Sequence, residues 1–310
     1  MLVESANNLR IRLKRFGLND RAIDAAWPRW WSDDADASSS ARTELRFSLS
    51  RKLGLDPRSL LEEGEPRFVW PDIARFKHLV GESEIEKAGI TSFGAAIGSV
   101  LTNATNGWSQ IKNVPASDFR EAILQSGKFV RLLDLLSVCW SVGIPILHLR
   151  VFPWPQKRMS AMAVLVGERA AILLGKDSSY PAHVAFYVAH ELGHIALGHL
   201  RAGSILVDLD SNKLADSAED PEEAEADRYA LELLTGIPTP TVLSLTGRPS
   251  ARALGYAALT SADKLGIEPG TLALCFGYST GNWRIANGAM RFIYSSAKPV
   301  WREVNAVAAK

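Results

Sequence analysis

The sequence predicts an α+β chain, mostly helical, with a small antiparallel sheet flanked by helical modules. Three observations carry this expectation. Apolar stripes at helical spacing recur in both the first and the last third of the chain. A short alternating stretch, "PILHLRVFP", and two β-rich runs within "AMAVLVGERAAILLG" lie close together between them. Strand and helix do not alternate as repeated βαβ units would require.

The N-terminal module, residues 1–66, reads as short helices: "NNLRIRLKRFGL", "DRAIDAAWPRWW" and "SSARTELRFSLSRKLGLDPRSLLEE". Leu45, Leu49 and Leu53 share a helical face, and Gly54 stands where a helix C-terminus favours a left-handed residue. A helix-turn-helix that contacts DNA is one reading of this module, and any small bundle would show the same periodicity. Its Arg42, Arg46, Arg51, Lys52 and Arg58 are partly balanced by Asp33, Asp34, Asp36 and Glu44, which weakens the case for phosphate binding. The stretch "EEGEPRFVWPD" at 62–72 reads as a linker.

In the core, residues 67–245, helix is expected over "DIARFKHLV" and "TSFGAAIGSVLTNAT" and as one long amphipathic segment from Ala116 to Trp140. The β-rich runs follow, with a hairpin turn at Gly167-Glu168. A helix-rich C-terminal segment, 246–310, completes the chain. With 310 residues and 47% hydrophobic content, a sizeable core is expected. Thirty-five basic against 34 acidic side chains leave a net charge of +1, so no global field favours nucleic acid or an anionic membrane. Cys139 and Cys275 are too few and too far apart for a disulfide framework and read as buried thiols. The first twenty residues lack an apolar signal core, and no apolar run reaches the roughly 18–20 residues of a membrane span, so a cytoplasmic protein is expected.

The chemistry concentrates in "HVAFYVAHELGHIALGHL", 183–200. His190 and His194 are four apart, about 40° around a helix, so both rings can reach one ion. With Glu191 they form H-E-x-x-H, whose chemistry is two imidazole ligands to Zn2+ and a carboxylate that accepts a proton from water. The apolar flanks would bury this helix, where an unpaired imidazole is costly; hydrogen bonding within a packed helix is the plainer alternative. A catalytic zinc needs a third protein ligand and an open position. Downstream, "EDPEEAEADRYALELL" begins a second helix at Pro221. Its Glu223 and Asp227 share a face, so Glu223 fits a ligand and Asp227 fits the acceptor of a ligand histidine's outer N–H. Glu225 should point elsewhere, and an acidic first turn also suits a helix dipole without any metal. His199 comes five residues after His194, about 140° away on a continuing helix, and is not counted as a ligand. His78, His148 and His183 have no partner spacing. Tyr180, Tyr187, Tyr229 and His183 are candidates to stabilise an oxyanion, and the strand "RAAILLG" is a candidate edge for an extended peptide.

"AILLG…HVAFYVAHELGHIALGH" followed by "EEAEADRYALELL" resembles the ImmA/IrrE family of zinc metallopeptidases, over roughly residues 118–240. The resemblance implies a zincin-like, gluzincin-type core, with His190, His194 and Glu223 as zinc ligands and Glu191 as catalytic glutamate. It implies an endopeptidase acting on a protein partner, a transcriptional repressor or antitoxin, in stress, mobile-element or phage-response circuits, often beside a helix-turn-helix module. The chain has "LLTGIP" where the family's helix ends L-L-M-P. The rival expectation is a DNA-binding regulator whose metal site is structural or inactive.

Overall fold

A computed structural model describes residues 4–62, 64–69, 74–77, 84–107, 109–152, 159–200, 205–209, 220–245 and 248–309. Four helices, α1 (Ala6–Arg15), α2 (Asp20–Ala26), α3 (Ser39–Leu53) and α4 (Pro57–Leu61), enclose a core of Leu9, Leu13, Ile23, Leu45, Leu49, Leu53 and Leu60. Ser5, Asn19, Ser38 and Asp56 each cap the helix that follows by accepting a backbone N–H. Gly54 ends α3 at φ 70°, and a β-carbon there would collide with the backbone of Ser92, some forty residues further on. The expected linker folds back instead of trailing away: Asp56 N donates to Arg67 O and Val69 N to Gly54 O.

The segment expected to be helical at "DIARFKHLV" contains a strand, β1 (Ala74–Lys77); residues 71–73 and 78–80 lie outside the described ones. Helix α5 (Glu84–Ala104) then crosses the sheet. Gly94 and Gly98, one turn apart, leave room there for Met162 and Val164 of the strand beneath.

The long segment from Ala116 to Trp140 is two helices, α6 (Ala116–Leu124) and α7 (Leu132–Ser141), broken around Gly127. The break lets Phe119 and Ile123 of the first and Leu132, Leu135 and Leu136 of the second reach one core, which a straight rod could not do.

Strands β2 (Ile146–His148), β3 (Met159–Val166) and β4 (Arg169–Leu174) precede α8 (Pro181–Ala196), β5 (Ile205–Leu209) and α9 (Pro221–Thr235). Gly167, at φ 62°, makes the expected two-residue hairpin, with Val166 opposite Arg169. Among the described residues the sheet has the order β1-β5-β3-β4-β2. It is mixed, not antiparallel as expected: β1 with β5 and β2 with β4 are parallel, and only β3 opposes its neighbours. Strand β4, the expected edge, instead lies between β3 and β2, the latter pairing along Ile172–Leu174. Edge strand β2 is itself capped: Asn305 Oδ1 accepts from His148 N at 2.8 Å and its Nδ2 donates to His148 O at 3.0 Å.

Asn305 belongs to α13 (Trp301–Ala308), the last of four C-terminal helices after α10 (Ala251–Leu265), α11 (Pro269–Thr280) and α12 (Trp283–Ile293). Their Leu254, Leu272, Met290 and Val304 join one apolar core that reaches back to Ile111. The chain is therefore mostly helical with a small sheet, an α+β arrangement. Both cysteines are free and buried, and burial pushes the thiols up, to about 12 for Cys139 and about 11 for Cys275. No helix among the described residues is long and apolar enough to cross a membrane.

Candidate metal centre

Thirteen of the sixteen residues of α8 are buried, so this helix lies inside the core and every polar side chain on it must find a partner within the protein. His190 and His194 do so together. Their Nε2 atoms approach to 3.0 Å. Glu223, from the first turn of α9, sets Oε2 at 3.2 Å from His190 Nε2 and Oε1 at 3.2 Å from His194 Nε2. All three are buried.

Two features of α9 place that carboxylate. Asp220 caps the helix by accepting from Glu222 N, and Pro221 occupies the first turn, where its missing N–H costs nothing. Gly193, at the centre of the histidine motif, then permits contact: a β-carbon there would stand 3.1 Å from Tyr229 Cβ and 3.3 Å from the Ala226 backbone. Small residues at 193 and 226 thus let α9 lie close enough for Glu223 to reach the histidine pair.

The outer ring nitrogens are also engaged. His190 Nδ1 lies 2.9 Å from Asp227 Oδ1, one turn beyond Glu223. A carboxylate that accepts at Nδ1 fixes the proton of a neutral His190 there, so that the ring would offer its Nε2 lone pair inward to a cation. His194 Nδ1 lies 2.8 Å from His199 Nδ1, and His199 Nε2 lies 3.1 Å from Glu225 Oε2. His199 and Glu225 are the residues that sequence reasoning missed. The 140° estimate for His199 assumed that the helix continues, but α8 ends at Ala196. Gly198 takes φ 74°, and His199 N donates back to His194 O at 3.0 Å. This reversal brings the His199 ring beneath His194. Gly198, two residues after the helix end, was the available signal.

Electrostatics follow the same geometry. Burial opposes charge on His190, but hydrogen bonds to Asp227 and Glu223 and the charges of both carboxylates outweigh it, so its pKa is held well above the ordinary histidine value. For Glu223 burial favours the neutral acid, but the hydrogen bonds and charges of His190 and His194 prevail and hold the carboxyl well below the usual range. Without an ion, these interactions favour the protonated form of His190.

The same three groups, His190, His194 and Glu223, could hold a cation. Metal–nitrogen bonds of about 2.0–2.1 Å in tetrahedral geometry put neighbouring donor atoms about 3.3 Å apart. The 3.0–3.2 Å separations match this within a few tenths of an ångström. Among the described residues three ligand groups converge, and no fourth joins them. Glu191, the proposed proton acceptor, is fully buried beside His190 on α8.

A cavity of about 420 Å3 opens beside the N-terminal half of α8. His183, Phe186 and Tyr187, lying seven, four and three residues before His190, line it together with Leu274, Tyr278 and Trp283. Three ring contacts connect it to the centre: Trp283 to Tyr278 at 5.0 Å, Tyr278 to Phe186 at 5.0 Å, and Phe186 to His190 at 6.2 Å. Of the oxyanion candidates, Tyr229 donates its hydroxyl to Val114 O at 3.0 Å and Tyr180 stacks on Tyr294, whereas Tyr187 and His183 border the cavity. His183 meets Asn287 Oδ1 at 2.9 Å and Ser178 Oγ at 3.3 Å, and burial lowers its pKa. His148 lies in β2, with Nδ1 against Leu149 O at 3.1 Å, and His78 lies outside the described residues.

Compared with family models, curated proteins and solved structures, the chain matches none.

Proposed function

We propose that the chain is a zinc-dependent endopeptidase with a zincin-like core of the ImmA/IrrE kind. The observation that carries this reading is the convergence of His190 Nε2, His194 Nε2 and the Glu223 carboxylate at 3.0–3.2 Å, with both outer ring nitrogens committed elsewhere. Two imidazoles and one carboxylate with an open position are the donor set of a hydrolytic zinc site; a structural zinc is normally closed by four protein ligands.

When bound, zinc supplies an electrophile that acidifies water and polarises a carbonyl. Glu191, buried beside the ligands, accepts the proton from the attacking water and returns it to the leaving amine. Asp227 holds His190 in the tautomer that faces inward. Tyr187 and His183 border the cavity and are the groups to test as oxyanion donors.

The cavity starts about 5–10 Å along the helix axis from His190, at 1.5 Å per residue. An extended peptide advances about 3.3 Å per residue, so the cavity would take a ring-bearing or long apolar side chain two or three residues from the scissile bond. The partner would be a repressor or antitoxin in the cytoplasm, with an accessible segment of that composition.

The regulator reading is weaker because several of the N-terminal cations are occupied. Arg12 donates to the carbonyls of Leu60, Glu62 and Gly64, Arg46 is buried, and Arg10 and Lys14 pair with Asp24 and Asp20. The deciding test incubates the zinc-loaded chain, and separately Glu191→Gln, with a repressor encoded beside it. Cleavage should drop by about 10²–10⁴-fold in the variant while zinc stays bound. A variant that cuts at the normal rate removes Glu191 from the reaction, and a chain that takes up no zinc removes the hydrolase reading.

A further inference from the structure

We propose that His199 and Glu225 form a positioning relay that sets which nitrogen of His194 faces the metal centre. This rests on reading His190, His194 and Glu223 as a metal site. Glu225 Oε2, an acceptor, lies 3.1 Å from His199 Nε2 and so draws the His199 proton to that atom. His199 Nδ1 is then left with a lone pair. At 2.8 Å it takes the Nδ1–H of His194, and the His194 Nε2 lone pair points at Glu223 and His190. With the opposite tautomer at His199, two N–H groups would collide across that 2.8 Å contact. His194 would then have to carry its proton on Nε2, where it cannot act as a ligand.

The two ligand histidines are therefore oriented by unlike devices. His190 meets a carboxylate directly, whereas His194 reaches one through an intervening ring. The intermediary follows from the fold. His194 is completely buried, and the Glu225 side chain is half exposed at 48%. The His199 ring spans the distance between them because Gly198 turns the chain back under the helix. The relay lets a solvent-facing charge strengthen a fully buried ligand without the carboxylate itself being desolvated.

The test measures zinc affinity of the full-length chain by competition with a chromophoric chelator, together with the visible spectrum of the cobalt-substituted protein. Glu225→Ala and His199→Phe should each weaken zinc binding about 10–100-fold and alter the cobalt bands. Glu225→Gln, which keeps an acceptor oxygen, should restore both towards the unmodified chain. Thermal unfolding of the metal-free proteins separates a loss of fold from a loss of orientation, and Glu225→Ala removes only a half-exposed side chain. Unchanged affinity and cobalt spectrum in both Glu225→Ala and His199→Phe would overturn the relay while leaving the metal centre intact. Failure of the unmodified chain to bind zinc would overturn the metal centre and the relay with it.

Discussion

Arg46 in α3 and His194 in α8 are equally inaccessible, at 1% and 0% exposure, yet their polar atoms are used differently. Arg46 donates to the carbonyls of Leu60, Arg42 and Glu4, at 3.0, 2.9 and 2.8 Å, and pairs with the Glu4 carboxylate at 3.4 Å. Backbone oxygens from α3, α4 and the residue before the cap of α1 meet on one guanidinium, so its role there is to join them. His194 spends one nitrogen on His199 and aims the other at a second histidine and a glutamate. Burial alone therefore does not mark a functional polar group. What distinguishes the two clusters is whether the last bond of each side chain goes to the chain itself or to a space shared with other lone pairs.

The sharpest way to break this contrast is to remove a converging ligand. His194→Ala or Glu223→Ala should abolish stoichiometric zinc uptake and cleavage, as read by metal analysis after desalting, and leave the helical circular dichroism largely in place. Arg46→Met should do the reverse. It should cost about 2–4 kcal/mol of stability in denaturant melts, less than a fully buried pair would because Glu4 is partly exposed, with no change in zinc affinity.

Acidity gives the next effect. A cation must displace the proton that His190 holds, so zinc binding weakens as pH falls, about tenfold per unit for one released proton, measurable by titration across pH 6–8. The metal-free protein has its own window. His190, with a raised pKa, contributes stability that is complete below its ordinary value of 6.5 and is lost as pH rises through the raised one. Glu223, with a depressed pKa, contributes stability present above its ordinary 4.5 and lost as acid reaches the lowered value. From this pair alone, the apo fold should melt highest between 4.5 and 6.5, in thermal scans with chelator present.

Gly193→Ala is the mildest test. Alanine should gain about 0.5–1 kcal/mol of helix propensity and lose about 1–3 kcal/mol to crowding against Tyr229 and Ala226. The melting temperature should fall by a few degrees at most, while zinc affinity falls several-fold as Glu223 is pushed outward. Unchanged affinity would show that close helix packing does not position the carboxylate.

Much of the centre could be read locally. Four-residue spacing puts His190 with His194 and Glu223 with Asp227 on single helix faces whatever surrounds them, because 3.6 residues per turn is a property of the backbone. Gly54 and Gly167 were legible for a similar reason: a left-handed φ is a local demand that glycine meets. The contribution of His199 was hidden because the motif gives no reason to stop the helix at Ala196, and one glycine changes which face the next side chain joins.

The chain alone therefore determined the helix-rich α+β character, the histidine stripe, the Glu223 and Asp227 pair on one helix face and the hairpin before them, each set by spacing within about a dozen residues. Tertiary structure decided the rest. It paired β1 with β5 in parallel across some 130 residues of chain, enclosed β4 between two neighbours, folded Ala116–Trp140 into two helices and brought Glu225 to His199. Such pairings depend on which surfaces meet once the core closes, and a short strand or a lone side chain carries no local pattern that names its distant partner.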